Sequence, residues 1–153
     1  MIRRFAPFLL VALCMWIAPL AARADSGCDS AYAQDLVRQG YRYLDGHNFN
    51  DARIAAGQLA SYAKSCNDPK VQYPSVVYSA YIGSAALHGL GQDVRAARAL
   101  QMGMVVLEAL KSEGSYGGLY DAMEPKFSDL ARHIKPPSAS AAAAAQASAP
   151  PAP

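Results

Sequence analysis

The sequence predicts an all-α domain made of two antiparallel helix hairpins and a C-terminal capping helix. Apolar residues recur at spacings of three and four over most of residues 29–135, which is the periodicity of amphipathic helices. Clusters rich in Gly, Asn, Ser or Pro interrupt this periodicity, and short interruptions place consecutive helices side by side in opposite directions. A pair of cysteines brackets the first two helices. Together these features predict a small helical array.

The first predicted hairpin covers residues 29–65. Its first helix ends at the Gly-His-Asn sequence at 46–48, and its second helix begins with Asn50 or Asp51 as the N-cap. The Asn-Asp-Pro sequence at 67–69 ends the second helix. The apolar stripes of the two helices consist of Ala33, Val37, Gly40 and Leu44, followed by Ala52, Ala56, Leu59 and Ala63.

The second predicted hairpin begins near Pro74, since proline suits the first turn of a helix. Its first helix is apolar or small on every side until Gly89 and Gly91 end it, so we expect this helix at the centre of the domain. Asp93 caps the next helix, and Gly103 in its middle indicates close helix packing. The apolar stripe of this helix consists of Ala96, Leu100, Met104, Leu107 and Leu110.

A final helix is predicted over residues 125–135, after a Gly/Ser-rich turn at 112–118. An amphipathic last helix is what a stacked helical array needs to cover its open end, and the apolar stripe here consists of Phe127, Leu130 and Ile134. Residues 136–153 are Ala, Pro and Ser apart from Gln146. We expect a disordered tail there, because such stretches cannot bury a core.

Residues 1–24 have the features of a secretory signal peptide. Two arginines precede an apolar run, and Ala-Arg-Ala at 22–24 has the small-x-small pattern of a cleavage site, so we place the cut between Ala24 and Asp25. The apolar run is shorter than the roughly 20 residues that span a bilayer. We therefore expect a periplasmic or secreted domain over residues 25–135 with no stable membrane span after cleavage. An uncleaved anchor is the alternative.

Cys28 and Cys66 remain after cleavage, because Cys14 lies in the signal. They lie at the same open end of the first hairpin, and exported chains with two cysteines usually pair them, so we predict a disulfide worth about 4 kcal/mol. The alternative is a lipid anchor on Cys28, which follows Ser-Gly and would leave Cys66 unpaired. No metal or other cofactor is predicted, since the histidines are scattered.

Composition and motifs argue against two function classes. Three of the 14 basic residues and none of the 12 acidic ones lie before residue 25, so the exported chain has 11 basic residues and a net charge of −1. It has no basic patch, and we predict no nucleic-acid binding. The sequence also lacks nucleophile-elbow, zinc-protease and phosphate-loop motifs. We expect His88 to be packed and hydrogen-bonded rather than a catalytic base, and predict that the protein is not an enzyme.

The two predicted hairpins resemble each other at an offset of about 44 residues. Over residues 30–111 the chain resembles the tetratricopeptide repeat family, in which small residues, aromatics and an early alanine mark each helix pair. The matching residues are Gly40, Tyr43, Phe49 and Ala52 in the first pair, and Ser84, Gly91 and Ala96 in the second. The resemblance implies that the first helix of each pair lines a concave, peptide-binding face. An ordinary helical bundle is the alternative.

Tyrosine content favours a recognition role. All nine tyrosines lie after residue 24, and the tyrosine side chain combines an apolar ring with a polar hydroxyl, which suits binding surfaces. The repeat resemblance places six residues near one groove: Gln34, Val37, Tyr41, Tyr78, Tyr81 and His88. The alternative is that these tyrosines pack in the core. We predict a protein- or peptide-binding module. A small inhibitory, immunity-type or structural envelope protein, and an enzyme that uses His88, are the alternatives.

Overall fold

The computed structural model describes residues 28–134, which fold into five α-helices without strands. The helices are α1 (Ser30–Asp45), α2 (Phe49–Ser65), α3 (Pro69–Gly89), α4 (Asp93–Ser112) and α5 (Gly117–His133). The predicted all-α class, with two hairpins and a final helix, is therefore confirmed for this part of the chain. The predicted signal peptide, its cleavage site at Ala24 and Asp25, and the predicted tail at 136–153 lie outside the described residues.

The five helices form two layers. Each helix packs against the next one in the chain, and α1, α3 and α5 also pack side by side in that order. Within residues 28–134, α2 and α4 do not contact each other, so they form a second layer on the other side of α3. Helix α3 contacts all four other helices, which confirms the prediction that it is central.

The turn between α1 and α2 is repeated between α3 and α4. In each turn three consecutive backbone N–H groups donate to carbonyls of the preceding helix, at N···O distances of 2.8–3.0 Å. The donors are residues 46–48 in the first turn and residues 90–92 in the second, a shift of 44 positions from 46 to 90. The middle donor has a positive φ in both turns, 58° at His47 and 71° at Gly91, which is the left-handed conformation that ends many helices. The two turns therefore have the same geometry.

The buried positions of the two hairpins repeat at the same shift. Ala52 and Ala96 each lie in the first turn of the second helix, and both are completely buried. The other equivalent buried pairs are Ala33 and Val77, Gly40 and Ser84, Ala56 and Leu100, Leu59 and Gly103, and Ala63 and Leu107. The second hairpin thus follows the plan of the first, with larger side chains at several positions.

The starts of α2 and α4 follow from these turns. Their N-caps are Asn48 and Gln92, because the last donor of each turn is also the first residue whose carbonyl accepts a helical hydrogen bond. The predicted caps Asn50 or Asp51 and Asp93 are therefore wrong by one to three positions.

The start of α3 differs from the prediction by more than one turn. The Asp68 carboxylate accepts a hydrogen bond from the Lys70 N–H at 3.0 Å, so Asp68 is the N-cap and Pro69 the first helical residue. An Asp-Pro pair is a strong start signal, and it outweighs Pro74, which lies inside the helix. The prediction that α3 begins near Pro74 is wrong.

The final helix also begins earlier than predicted. Helix α5 starts at Gly117, and Pro125 lies inside it although an internal proline removes a backbone hydrogen bond. Met123 and Phe127 are both fully buried, and they fall on one face of a helix that continues through the proline. Burial of these two side chains outweighs the local preference, so the prediction that this helix starts at residue 125 is wrong.

The apolar core is larger at the C-terminal end of the array. The main cluster lies among α3, α4 and α5, and its buried members are Val77, Leu87, Ala96, Leu100, Leu107, Leu110, Met123, Phe127 and Ile134. Two smaller clusters join α1 and α2 to α3, and their buried members are Ala33, Leu36, Ala52, Ala56, Leu59, Ile82 and Ala86. The first hairpin therefore buries mostly alanine, and the second buries mostly larger side chains.

Gly103 lies where α4 meets α3 and α5. A Cβ atom added at this position would lie 2.7 Å from the Ala80 Cβ and 2.6 Å from the Phe127 ring, which is closer than van der Waals contact permits. The prediction that Gly103 allows close helix packing is confirmed.

A disulfide joins Cys28 to Cys66 at the open end of the first hairpin, with the two Cα atoms 5.1 Å apart. Asp29 caps α1 beside it, and the Asp29 carboxylate accepts a hydrogen bond from the Ala31 N–H at 2.8 Å. The Tyr62 hydroxyl donates to the Asp29 carbonyl at 2.9 Å. Covalent and polar contacts thus hold the start of α1 against the end of α2.

Candidate functional site

The α1/α3/α5 layer presents two clefts on the surface. Both are bounded by α1 and α3, one toward the N-terminal ends of these helices (cleft I) and one toward their C-terminal ends (cleft II). All six predicted groove residues line one or the other: Gln34, Val37 and Tyr78 line cleft I, and Tyr41, Tyr81 and His88 line cleft II. We call the surface that contains both clefts the binding face.

Cleft I has a volume of about 440 Å³. Its apolar wall consists of Ala33, Val37, Val71 and Pro74. Its polar side chains are Ser30, Gln34, Arg38, Lys70, Ser75 and Tyr78. All of these except Ser75, whose buried hydroxyl donates to the Val71 carbonyl at 2.7 Å, can donate a hydrogen bond to a ligand. Among the described residues that line this cleft, none is acidic. Cleft I is therefore an apolar trough surrounded by donors.

Cleft II has a volume of about 490 Å³ and includes side chains from α5. Its lining residues are Tyr41, Leu44, Asp45, Phe49, Tyr81, Ala85, His88, Gly89, Lys126 and Leu130. It differs from cleft I in having a carboxylate, an imidazole and an ammonium group together. The two clefts thus offer different chemistry on one continuous face.

Three tyrosines, Tyr41, Tyr78 and Tyr81, lie at the boundary between the two clefts. Tyr41 meets Tyr78 edge to face, with ring centroids 6.4 Å apart, and lies 6.0 Å from Tyr81. Tyr81 in turn lies 5.6 Å from the ring of Phe127. Each of the three tyrosines is half-buried, so one part of each ring packs on the core clusters and another part remains accessible. The sequence analysis treated a groove and the core as alternative locations for these tyrosines, but each ring contributes to both.

Lys126 is a residue of the binding face that sequence analysis missed. Its ammonium group donates to the Tyr41 hydroxyl at 3.3 Å and lies 4.7 Å from the centroid of the Tyr41 ring. The same group is 5.9 Å from the centroid of the Tyr81 ring, within the range of cation–π attraction. Lys126 and Tyr41 are 85 positions apart in sequence. No local pattern could reveal this contact, which depends on the packing of both α1 and α5 against α3.

Burial raises the pKa of two tyrosines on the binding face, Tyr41 and Tyr81. Burial, and to a lesser degree the neighbouring Tyr78, raises the pKa of Tyr41 to about 12. Burial and then Tyr41 raise the pKa of Tyr81, and Lys126 partly opposes that rise. Both hydroxyls are therefore protonated over the physiological pH range and can donate hydrogen bonds to a bound molecule.

His88 is hydrogen-bonded to an acidic side chain across the α3–α4 turn. Its Nδ1 atom lies 2.7 Å from a carboxylate oxygen of Asp93, the first residue of α4. Both side chains are about one-third exposed, 34 % and 30 %. The pair ties the last turn of α3 to the first turn of α4. The hydrogen-bonded state expected for His88 is present, and its partner was not identified from the sequence.

The sequence matches no family model, and no curated protein or solved structure is significantly similar to it. The arrangement of helices and the two-cleft face therefore provide the grounds for assigning a class. Residues 28–134 contain no helix with the length and apolar character needed to cross a membrane. The same region has no group of three or more His, Cys, Asp or Glu side chains placed to hold a metal ion. What the fold and site define is a five-helix bundle with a tyrosine-rich, two-cleft face.

Proposed function

We propose that the chain is an exported helical-repeat protein that binds a protein or peptide partner on the binding face. The observation that carries this proposal is the convergence of Gln34, Val37, Tyr41, Tyr78, Tyr81 and His88 on one side of the α1/α3/α5 layer, in two adjoining clefts. Half-buried tyrosines are well suited to this role, because their rings are rigid and their hydroxyls can pair with a ligand.

The repeat at a shift of 44 positions supports a tetratricopeptide-like architecture. Equivalent turns, equivalent buried positions and the side-by-side packing of α1, α3 and α5 are what a stacked array of helix pairs produces. In such arrays the first helices of successive pairs line the surface that holds extended ligands. The binding face occupies this position.

The disulfide supports export. Disulfides persist in oxidising compartments such as the periplasm or the extracellular space, and the Cys28–Cys66 bond agrees with the signal peptide predicted at residues 1–24. A disulfide-bonded Cys28 has no free sulfur for a lipid. We therefore favour a periplasmic or secreted protein over a lipid-anchored one.

We propose no catalytic function for His88. Its contact with Asp93 holds the α3–α4 turn, and a histidine used this way contributes to cleft II as a hydrogen-bonding group. No metal or other cofactor enters the proposal.

The test is a crosslinking pull-down from envelope extract with the exported chain as bait. Tyr81→Ala removes a ring from cleft II, and Gln34→Arg fills cleft I without touching the core, since Gln34 is exposed. The matched control is Tyr32→Ala, because Tyr32 is 48 % exposed and borders a different surface between α1 and α2. We expect one partner whose recovery falls about tenfold with the first two variants and is unchanged in the control. Equal recovery with all three baits would contradict the proposal.

A second candidate function rests on the outer surface of α4. Met102 and Val105 are 66 % and 65 % exposed there, and neighbouring exposed apolar side chains mark interaction sites. An inhibitory or immunity-type protein would use such a protruding site. Met102→Ser as a fourth bait distinguishes the two, because loss of the partner with this variant alone would assign binding to α4.

A further inference from the structure

The chemistry of cleft I suits one class of ligand. An extended peptide in the polyproline II conformation has no internal hydrogen bonds, so its carbonyls remain free to accept them. Grooves that recognise such peptides combine aromatic and apolar walls with hydrogen-bond donors. Cleft I has this composition, with Val37, Val71, Pro74 and Tyr78 as its wall and Gln34 as an exposed donor at its edge. The best-matched ligand is a small, extended, proline-containing segment.

The sequence contains such a segment after α5. Residues 136–153 contain no charged side chain, and their final part reads Ala-Ser-Ala-Pro-Pro-Ala-Pro from position 147 to position 153. Prolines favour polyproline II and lose little entropy when bound. Alanine side chains fit a shallow trough, and the lack of charge is compatible with an apolar wall.

The geometry allows this segment to reach cleft I from its own chain. The described part of the chain ends at Ile134, one helical turn beyond Leu130, which lines cleft II. Along α3, the distance from His88 in cleft II to Pro74 in cleft I is about 21 Å at 1.5 Å per residue. A flexible chain of about 16 residues spans on average about 20–24 Å, and Pro150 lies 16 positions after Ile134 in the sequence. A tether whose mean length matches the span gives a local concentration of about millimolar.

We propose that residues 150–153 of this chain occupy cleft I in cis, with residues 135–149 as the tether. The inference rests on the proposed function, because it names the ligand class of cleft I, an extended proline- and alanine-rich peptide, and identifies the chain's own segment as its resident. A second peptide of this class then binds cleft I by displacing the tail. Cleft II, which has a carboxylate and an ammonium group, stays open.

The first test compares backbone amide spectra of the full exported chain and a triple variant, Pro150→Gly, Pro151→Gly and Pro153→Gly. We expect shift changes at cleft I residues such as Gln34, Val37 and Val71, and none at Ala85 in cleft II. The matched control changes Ala142, Ala143 and Ala144 to glycine in the tether and should leave cleft I unshifted. Equal spectra for the chain and its triple variant would overturn the inference. So would cleft I shifts that depend on protein concentration, because those would report docking between copies.

The second test adds a synthetic peptide with the sequence of residues 147–153. Because the resident tail competes, we expect the apparent dissociation constant to be about tenfold lower for the triple proline variant than for the intact chain, and binding to be lost with Gln34→Arg. Equal affinity for both chains would overturn docking in cis while keeping cleft I as a peptide site. Absence of peptide binding at cleft I would overturn the inference. The proposed function would then be tested by the pull-down alone.

Discussion

The two hairpins of this molecule have the same backbone plan but are stabilised in different ways. The α1/α2 pair buries Ala56 and Ala63 where the α3/α4 pair buries Leu100 and Leu107. Only the first pair is crosslinked by a disulfide within the described part of the chain. The second pair is covered instead by α5, whose Phe127 is fully buried. A repeat that buries little apolar surface can thus be supported covalently, while its neighbour relies on packing.

The magnitudes of these two contributions are comparable. The second hairpin buries three more carbons at Leu100 and three more at Leu107, while the first buries four more at Leu59, opposite Gly103. With the two extra carbons of Val77 over Ala33, the net is about four carbons at about 0.8 kcal/mol apiece, which leaves the first hairpin about 3 kcal/mol short. The disulfide spans a sequence separation of 38 residues, which corresponds to about 4 kcal/mol in the chain-entropy account. The contribution of the crosslink is therefore similar in size to the difference in apolar burial.

The largest expected effect comes from removing Phe127. The Phe127 ring packs beside Gly103, where α4 lies close to α3, and its centroid is 5.6 Å from that of the Tyr81 ring. Phe127→Ala therefore leaves a cavity in the main cluster. We expect the free energy of unfolding to fall by about 3–5 kcal/mol, measured by urea denaturation followed by circular dichroism. Met104→Ala, at a 37 % exposed site on α4, is the control and should cost much less. A loss below about 1 kcal/mol at Phe127 would show that packing does not dominate this half.

The next largest effect is expected at the disulfide. The double variant Cys28→Ser/Cys66→Ser should lower the free energy of unfolding by about 2–4 kcal/mol, because the unfolded chain regains the conformations that the crosslink excludes. Tyr62→Phe removes the two hydrogen bonds that its hydroxyl makes at the same end, one donated to the Asp29 carbonyl and one accepted from the Asp29 N–H, and should cost about 1–2 kcal/mol. Unchanged stability after removal of both sulfurs would refute the contrast between the hairpins.

Glycine substitutions give a smaller effect that differs between the two halves. At Gly103 an added Cβ meets the Ala80 Cβ at 2.7 Å, which only a backbone shift can relieve, so Gly103→Ala should cost about 1–3 kcal/mol. At Gly40 the contacts are the Ile82 side chain at 2.8 Å and 3.0 Å, which can rotate, so Gly40→Ala should cost less. Gly57 has no neighbour within 4 Å, and Gly57→Ala should raise stability by up to about 1 kcal/mol. Thermal melts should give the lowest melting temperature for Gly103→Ala and the highest for Gly57→Ala. A different order would contradict the packing described at these glycines.

The smallest effect is a loss of stability at alkaline pH that involves the binding face. Burial raises the pKa of Tyr41 to about 12 from its ordinary value of 10.0, so the folded state retains a proton that the unfolded state releases. The resulting stabilisation is complete below pH 10 and is lost as the pH rises toward 12. Tyr41→Phe should therefore reduce the steepness of the decline in stability over this range, and Tyr32→Phe, on the other surface, serves as the control. Equal slopes for both variants would argue against burial of the Tyr41 hydroxyl.

Much of the fold could be predicted because helices depend on local patterns. The spacing of apolar residues placed α1 to α4 in order, and the same register put the groove residues of α1 and α3 on one side. The starts of α3 and α5 could not be predicted this way, because burial of Met123 and Phe127 and the cap at Asp68 override the internal prolines. Lys126 was missed for a different reason, since its contact with Tyr41 joins helices that are distant in sequence.

The order of helix contacts has a consequence for assembly. Within residues 28–134, the backbones of helices more than two places apart in the chain do not pack closely, and α5 meets α1 through the side-chain contact of Lys126 with Tyr41. Each new helix therefore closes only a short loop onto structure that already exists. Folds with such local contacts form quickly, and this one can grow from its N-terminal end. The first hairpin is complete once residue 66 is available, and the disulfide can then fix it as a template. In the proposed export, in which the N-terminus emerges first, the hairpin with less apolar burial would be crosslinked before the rest of the chain emerges.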